Sequence, residues 1–143
     1  MPVRAVEARV FVHATEDKEK VLKALLEIVP EELRREVKVE EEVLQGHYSN
    51  PIIKLTLRVE GPNAEKVVDY IFSKLTPADR GLLATSIDDR VDKNGTFYLR
   101  LSKQEAYQGN IYVYESDDVI RVSIHYTGKR AKAIKDFEEM LRS

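Results

Sequence analysis

Apolar and polar residues alternate along several short runs of the chain, which is the pattern of strands that bury one face. In the first run Val6, Ala8, Val10 and Val12 are separated by polar or aromatic neighbours. The same alternation predicts strands in six places: residues 6–13, 37–43, 53–59, 97–101, 110–116 and 119–126.

Between these runs, apolar residues recur at helical spacing, and the signals expected at helix ends accompany them. Thr15 is a candidate N-cap for a helix that Pro30 ends, and Thr76 followed by Pro77 starts another. Ser102 stands three residues before Glu105, the spacing of a capping box for a short helix. Five helices are therefore predicted, with apolar positions in residues 16–29, 63–75, 77–91, 103–108 and 131–141.

The order of these elements predicts the fold class. Neighbouring strands without a helix between them favour antiparallel pairing, so we expect an α+β fold in which a mostly antiparallel sheet has helices packed on one face. The run at residues 37–43 carries Glu40 and Glu42 and is expected near a sheet edge. No linker, repeat or low-complexity segment interrupts the chain, so residues 1–143 are predicted to form a single domain.

Two connections are predicted to be hairpin turns. Gly46 and Asn50 favour a turn, and Pro51 keeps the residue before it extended, which places His47 and Tyr48 at a loop tip. The stretch 116–118 is expected to join the last two strands.

The strand residues that do not face the helices form a distinct set. Their period of two assigns them to the opposite, open face of the sheet. With the loop-tip pair His47 and Tyr48, the candidate contact residues are Arg9, Phe11, Lys54, Arg58, Tyr98, Arg100, Tyr112, Tyr114, Arg121 and His125.

Basic and aromatic side chains together suit unpaired RNA, because arginines bind phosphates and aromatic rings stack on bases. The same side chains are also enriched where proteins meet, so the face could instead serve self-association as a homodimer, or it could be only solvated. The sequence leaves these alternatives open.

Composition narrows the setting. The chain has 143 residues, no cysteine and a net charge of −2. Any nucleic-acid role therefore requires basic side chains gathered on one surface. The absence of cysteine and of a long apolar run leads us to expect a cytoplasmic protein without membrane contact.

A second basic cluster opens the last predicted helix. Lys129, Arg130 and Lys132 oppose the helix dipole, and a phosphate bound at the helix N-terminus would compensate for this. A solvated helix face is the competing interpretation.

No established catalytic or metal-binding motif is present in the sequence. The histidines at positions 13, 47 and 125 have no partner at metal-ligand spacing, and no nucleophile or dinucleotide motif occurs. We therefore expect a non-enzymatic protein with no cofactor and no metal.

Five segments carry a family resemblance: "VHATEDKEKVLKALLEIVP", "GHYSNPIIKLTLRV", "FSKLTPADRGLL", "FYLRLSKQEAYQG" and "DDVIRVSIHY". They resemble a family of small archaeal proteins described as RNA-binding and as predicted exosome subunits. The family is similar in fold to the ribosomal large-subunit protein that holds 5S ribosomal RNA. The resemblance implies a homodimer associated with RNA in an RNA-processing or ribosome-related assembly. It implies no catalytic residues. The acidic balance of this chain, including Glu40, Glu41 and Glu42, opposes strong non-specific binding, so we expect the RNA contact to be weak or partner-dependent.

Overall fold

The computed structural model describes residues 2–45 and 50–143. Its strands are β1 Val3–Val12, β2 Val39–Gln45, β3 Pro51–Glu60, β4 Phe97–Leu101 and β5 Ile120–Tyr126. Its helices are α1 Lys18–Leu26, α2 Pro62–Lys74, α3 Pro77–Thr85, α4 Ile87–Arg90, α5 Lys103–Tyr107 and α6 Arg130–Arg142, with a 3-10 turn at Glu31–Leu33. The five strands form one sheet in the order β2-β3-β1-β5-β4, and every neighbouring pair is antiparallel. This confirms the predicted α+β class.

The core lies between the sheet and the helices. Val6, Ala8 and Val10 of β1 are completely buried on the helix side, whereas the residues between them are at least partly exposed. In the same layer the rings of Phe97 and Phe137 meet edge to face with centroids 5.0 Å apart. Because the apolar positions of the strands point to the helices, the other side of the sheet is left open.

The predicted helix starts were confirmed at two places and wrong at one. Thr76 Oγ1 accepts a hydrogen bond from Asp79 N, and Ser102 Oγ accepts one from Glu105 N. The first helix, however, is capped by Asp17 and not by Thr15. The backbone before it forms a turn in which Glu16 Oε1 accepts a hydrogen bond from His13 N, which delays the helix.

The predicted helix over residues 77–91 is divided into α3 and α4. Ser86 separates them with φ −104° and ψ 16°, and its hydroxyl donates to the Leu82 carbonyl. A serine hydroxyl that competes for helix carbonyls in this way favours the end of a helix.

The prediction of a strand over residues 110–116, joined by a hairpin to β5, was wrong. Strand β5 is already paired with β1 on one side and β4 on the other, so it has no free edge. The segment instead crosses the end of β4, where Val113 forms an isolated bridge with Leu101. Tyr112 and Tyr114 therefore lie outside the sheet strands, 40% and 56% exposed.

The edge position of the acidic strand was predicted correctly. Strand β2 is an outer strand and pairs only with β3. Val43 is 70% exposed there because the sheet ends beside it.

Within the described ranges 2–45 and 50–143, no helix is both long and apolar enough to cross a membrane.

Candidate nucleic-acid interface

The open face is organised by the register between strands, which fixes the neighbours of each side chain. Residues directly opposite on antiparallel strands share a face, with their Cβ atoms about 4.5–5.5 Å apart. Arg9 of β1 lies opposite Arg121 of β5, and Arg121 lies opposite Arg100 of β4. Three arginines thus lie side by side across three neighbouring strands, and we call Arg9, Arg121 and Arg100 the arginine row.

The arginine row has no acidic partner in the part of the chain that the structure describes. Arg121 Nη2 donates to the carbonyl of Asp117 at 3.1 Å, and Arg100 Nη1 donates to the carbonyl of Ser116 at 3.3 Å. These contacts orient two guanidinium groups without neutralising them. Because like charges on opposite strand positions destabilise a sheet, the row is an electrostatic cost in the free protein.

The β3 side of the face is neutralised. Lys54 Nζ lies 3.2 Å from Glu42 Oε1, and Arg58 Nε lies 2.8 Å from Glu60 Oε1 with Glu7 Oε2 3.4 Å from its Nη1. The hydrogen bond to Glu60 raises the pKa of Arg58 and lowers that of Glu60. These two bases were predicted as contact residues, but their charge is largely balanced where they lie.

The acidic edge sets a limit to the basic surface. Glu40 lies opposite Thr56, and Glu42 lies opposite Lys54, so both carboxylates of β2 are on the open face. Positive charge without a carboxylate partner is therefore concentrated over β1, β5 and β4. We call this part of the sheet the basic half.

Two of the predicted aromatic residues belong to the basic half. Phe11 is half-buried on β1 beside the neutralised Lys54, and Tyr98 is 45% exposed on β4 opposite Ser123. The Tyr98 hydroxyl donates to Asp92 Oδ2 at 2.9 Å, and burial together with this bond raises the pKa of Tyr98. The ring is held in place at its polar tip while much of it remains exposed.

His125 lies at the end of the open face near Tyr98. Its Nδ1 is 3.3 Å from Thr96 Oγ1, and its strand neighbour on β1 is the small residue Ala5. Burial lowers the pKa of His125, and the positive charges of Arg58 and Arg4 add to this effect. A neutral imidazole is therefore favoured in the free protein.

Two of the three predicted phosphate contacts at the start of α6 have protein partners of their own. Arg130 Nη2 donates to the carbonyl of Asp88 at 2.8 Å, which ties α6 to α4. Lys132 Nζ donates to Tyr126 and to Asp136, and both bonds raise the pKa of Lys132. The side chain of Lys129, at the N-cap, has no hydrogen-bond or ion-pair partner among the described residues. This helix end lies on the helix side of the sheet, away from the arginine row.

His47 and Tyr48, also predicted as contact residues, lie outside the described residues.

A buried lysine lies at the other end of β1. Lys103 is only 8% exposed, and its Nζ donates to the Phe11 carbonyl at 2.8 Å, to Glu16 at 2.9 Å and to Asp118 at 2.9 Å. His13 Nε2 is 3.2 Å from the same Asp118 oxygen. The ligand atoms of His13, Glu16 and Asp118 lie within 4.8 Å of one another, but the lysine ammonium already supplies the positive charge there. The cluster joins β1, the turn before α1, the start of α5 and the segment before β5 as a structural contact.

Sequence reasoning did not identify Lys103, Asp92 or Thr96. Lys103 looked like an ordinary polar residue of a short helix, and no local pattern shows that its partners come from positions 11, 16 and 118. Asp92 lies in a recognisable turn, but its bond to Tyr98 depends on how that turn meets β4.

The chain is similar to proteins of known family. A family model described as RNA binding matches residues 5–126. The RNA-binding protein PAB1135 of Pyrococcus abyssi is 36% identical over 141 residues, which cover 95% of this chain and 92% of that protein. The uncharacterized protein MJ0213 of Methanocaldococcus jannaschii is 34% identical over 128 residues, which cover 87% of this chain and 85% of that protein.

Solved structures share the fold. Protein AF2318 of Archaeoglobus fulgidus has a TM-score of 0.83 at 26% identity and covers 96% of this chain and 99% of its own. Mth689, a DUF54 protein of Methanothermobacter thermautotrophicus, has a TM-score of 0.80 at 28% identity, and the match covers 97% of this chain and 98% of that protein. The family model spans most of the chain, and the relatives align over nearly their whole length. The chain belongs to this RNA-binding family.

Proposed function

We propose that the protein binds RNA through the basic half of its open sheet face, as a non-enzymatic component of the cytoplasm. The observation that carries the proposal is the arginine row, in which Arg9, Arg121 and Arg100 lie abreast without a carboxylate partner among the described residues. A fold that keeps three guanidinium groups together at a cost to its own stability has a reason to do so if an anion binds them. Family membership and the name of the Pyrococcus abyssi relative support RNA as that anion.

The side chains of the face suit binding better than catalysis. Glu7, the carboxylate closest to the centre of the face, is paired with Arg58, and His125 is hydrogen-bonded to Thr96. A phosphate contact requires guanidinium groups that a phosphate can reach. Arg9 is exposed, and Arg100 and Arg121 are half-buried and oriented by their carbonyl contacts.

A charge-matched comparison tests the proposal. RNA is titrated into the wild type, an Arg9→Gln, Arg121→Gln variant, and a Lys66→Gln, Lys135→Gln variant whose exposed lysines lie on helices α2 and α6. All three are compared at one stated salt concentration, since affinity for RNA depends on it. We expect the arginine variant to lose most of its affinity and the lysine variant to lose little. Equal losses would mean that only the net charge matters, and the face would not be the site.

We further propose that the protein acts as a homodimer in an RNA-processing, exosome-like or ribosome-related assembly. The exposed rings of Tyr112 and Tyr114 support a protein contact beside the sheet, because exposed tyrosines are typical of protein interfaces. Direct pairing of two open faces is less suitable, since it would bring two arginine rows towards each other.

Solution mass and RNA affinity of a Tyr112→Ala, Tyr114→Ala variant separate the two uses of the molecule. A lower mass with unchanged RNA affinity would assign the tyrosines to self-association. The alternative function is a dimeric interaction module that binds no RNA. It requires that substitutions on the open face lower the solution mass and that the wild type has no affinity for RNA.

A further inference from the structure

The two aromatic residues of the basic half lie on opposite sides of the arginine row. Phe11 follows Arg9 by two residues on β1, and Tyr98 precedes Arg100 by two residues on β4. Strands β1 and β4 run in the same direction because both are antiparallel to β5, which lies between them. A line from Phe11 to Tyr98 therefore crosses the row diagonally, over four residues along the strands and two strand spacings, or about 17 Å.

Tyr98 is prepared as a stacking platform. Its hydroxyl is bound by Asp92 Oδ2, while Asp92 Oδ1 accepts hydrogen bonds from the backbone of Asn94 at 2.9 Å and of Thr96 at 3.0 Å. Burial raises the pKa of Asp92, but these three hydrogen bonds together outweigh it and hold the pKa below its usual value, so the acceptor stays ionised. A ring already fixed in the free protein loses little conformational freedom when a base stacks on it.

Negative charge lies along one edge of the open face. Glu40 and Glu42 occupy the open face of β2, so a phosphate backbone that passed over that edge would meet carboxylates. Arg58 and Glu60 lie on β3, between the acidic edge and the basic half, and Arg58 also pairs with Glu7 on the adjoining strand β1. A polyanion is thus directed over β1, β5 and β4.

We propose that the ligand class is single-stranded RNA, which crosses the basic half diagonally with one base on Phe11, phosphates on the arginine row and another base on Tyr98. This rests on the proposed function and narrows it. Base stacking on aromatic side chains requires unpaired bases, whereas double-stranded RNA is read by shape over about 16 base pairs. Two separated aromatic rings with three arginines between them match a short segment of unpaired RNA.

The test uses one fluorescently labelled RNA sequence of about 16 nucleotides, at the upper end of the site size of a single-strand-binding fold and as long as the duplex read by shape, and the same sequence annealed to its complement. Affinities are measured for the wild type and for Phe11→Leu, Tyr98→Leu and Tyr98→Phe, after thermal unfolding has shown that each variant is folded. Leucine keeps an apolar side chain without the ring, and phenylalanine keeps the ring without the hydroxyl.

We expect the wild type to prefer the single strand, and each leucine variant to bind it about tenfold or more weakly, since stacking is lost at one base. Tyr98→Phe should remain within a few-fold of the wild type because the ring is retained. Tighter binding of the duplex, or leucine variants equal to the wild type, would overturn the single-strand path while leaving RNA binding intact. Binding of neither RNA would overturn the proposed function itself.

Discussion

Arg9 and Arg121 lie directly opposite each other on the adjacent strands β1 and β5, without a carboxylate partner in the described part of the chain. Like charges in this position oppose folding, so we predict that Arg9→Thr does not destabilise the free protein and stabilises it by up to about 1 kcal/mol. Threonine is also well suited to a strand. Urea unfolding at low and high salt measures this, and the gain should shrink as salt screens the charges.

Lys54→Thr is the matched control for that variant, because it removes a base that is paired with Glu42 on the neighbouring strand. It should be neutral or slightly destabilising. A clear loss of stability in Arg9→Thr at low salt would show that the arginine row is a structural feature and not a binding site held at a cost.

Lys103→Met should destabilise the fold. The substitution keeps most of the buried stem but leaves the Phe11 carbonyl without its donor and removes the charge between Glu16 and Asp118. We expect a loss of about 1–3 kcal/mol, the usual cost of an unsatisfied buried polar group. Lys93→Met, at an exposed turn position, is the control and should change the free energy of unfolding little. Equal stability of the two variants would contradict the structural role of the cluster.

Stability should depend on Asp118 at acid pH. Burial raises the pKa of Asp118, but the hydrogen bond and charge of Lys103, with a smaller contribution from His13, outweigh it and leave the pKa below its usual value. A carboxyl with a depressed pKa in the folded state contributes stability that is present above its unfolded pKa and is lost as pH falls through the folded value. The wild type should therefore exceed Asp118→Asn in stability at neutral pH, and this gap should narrow as the pH falls below about 4, the ordinary pKa of an aspartate. Urea unfolding of both proteins from neutral to acid pH measures this difference in stability. A difference that stays constant would contradict the role of ionised Asp118.

Two glycines should respond in opposite ways to alanine. Gly128 has φ +146°, and a Cβ there would lie 2.9 Å from Tyr126 Cε1, so Gly128→Ala should cost about 1–3 kcal/mol. Gly81 lies inside α3 with nothing within 4 Å of an added Cβ, so Gly81→Ala should stabilise by about 0.5–1 kcal/mol. Thermal unfolding of both variants checks the pair. Unchanged stability of Gly128→Ala would show that the turn before α6 is not constrained in this way, and a loss of stability in Gly81→Ala would contradict the open space beside α3.

Much of the architecture could be predicted from periodicity, because burial of one face leaves a local record in each strand and helix. The alternation of β1 and the caps at Thr76 and Ser102 are local features of this kind. The segment 110–116 has the same alternation and still does not pair with β5, because β4 occupies the edge of β5 that it would need. Competition between strands for one edge is a property of the whole fold.

The candidate site was predictable as a set of side chains but not as an arrangement. Alternation correctly placed Arg9, Arg58 and Arg121 on one face, but nothing local indicates that Arg58 is paired with Glu7 and Glu60 while Arg9 meets Arg121. Which bases are neutralised depends on strand order and register, and these decide where free positive charge remains.

The salt dependence of RNA affinity measures whether the arginine row binds phosphates of the RNA. The slope of log affinity against log salt concentration counts phosphate contacts, at about 0.7 for each contact with a single strand. For an Arg9→Gln, Arg100→Gln, Arg121→Gln variant we predict a slope shallower than that of the wild type by about 2, while Lys66→Gln, Lys135→Gln keeps the wild-type slope. An unchanged slope in the arginine variant, or an equal change in both, would contradict binding of RNA by the arginine row.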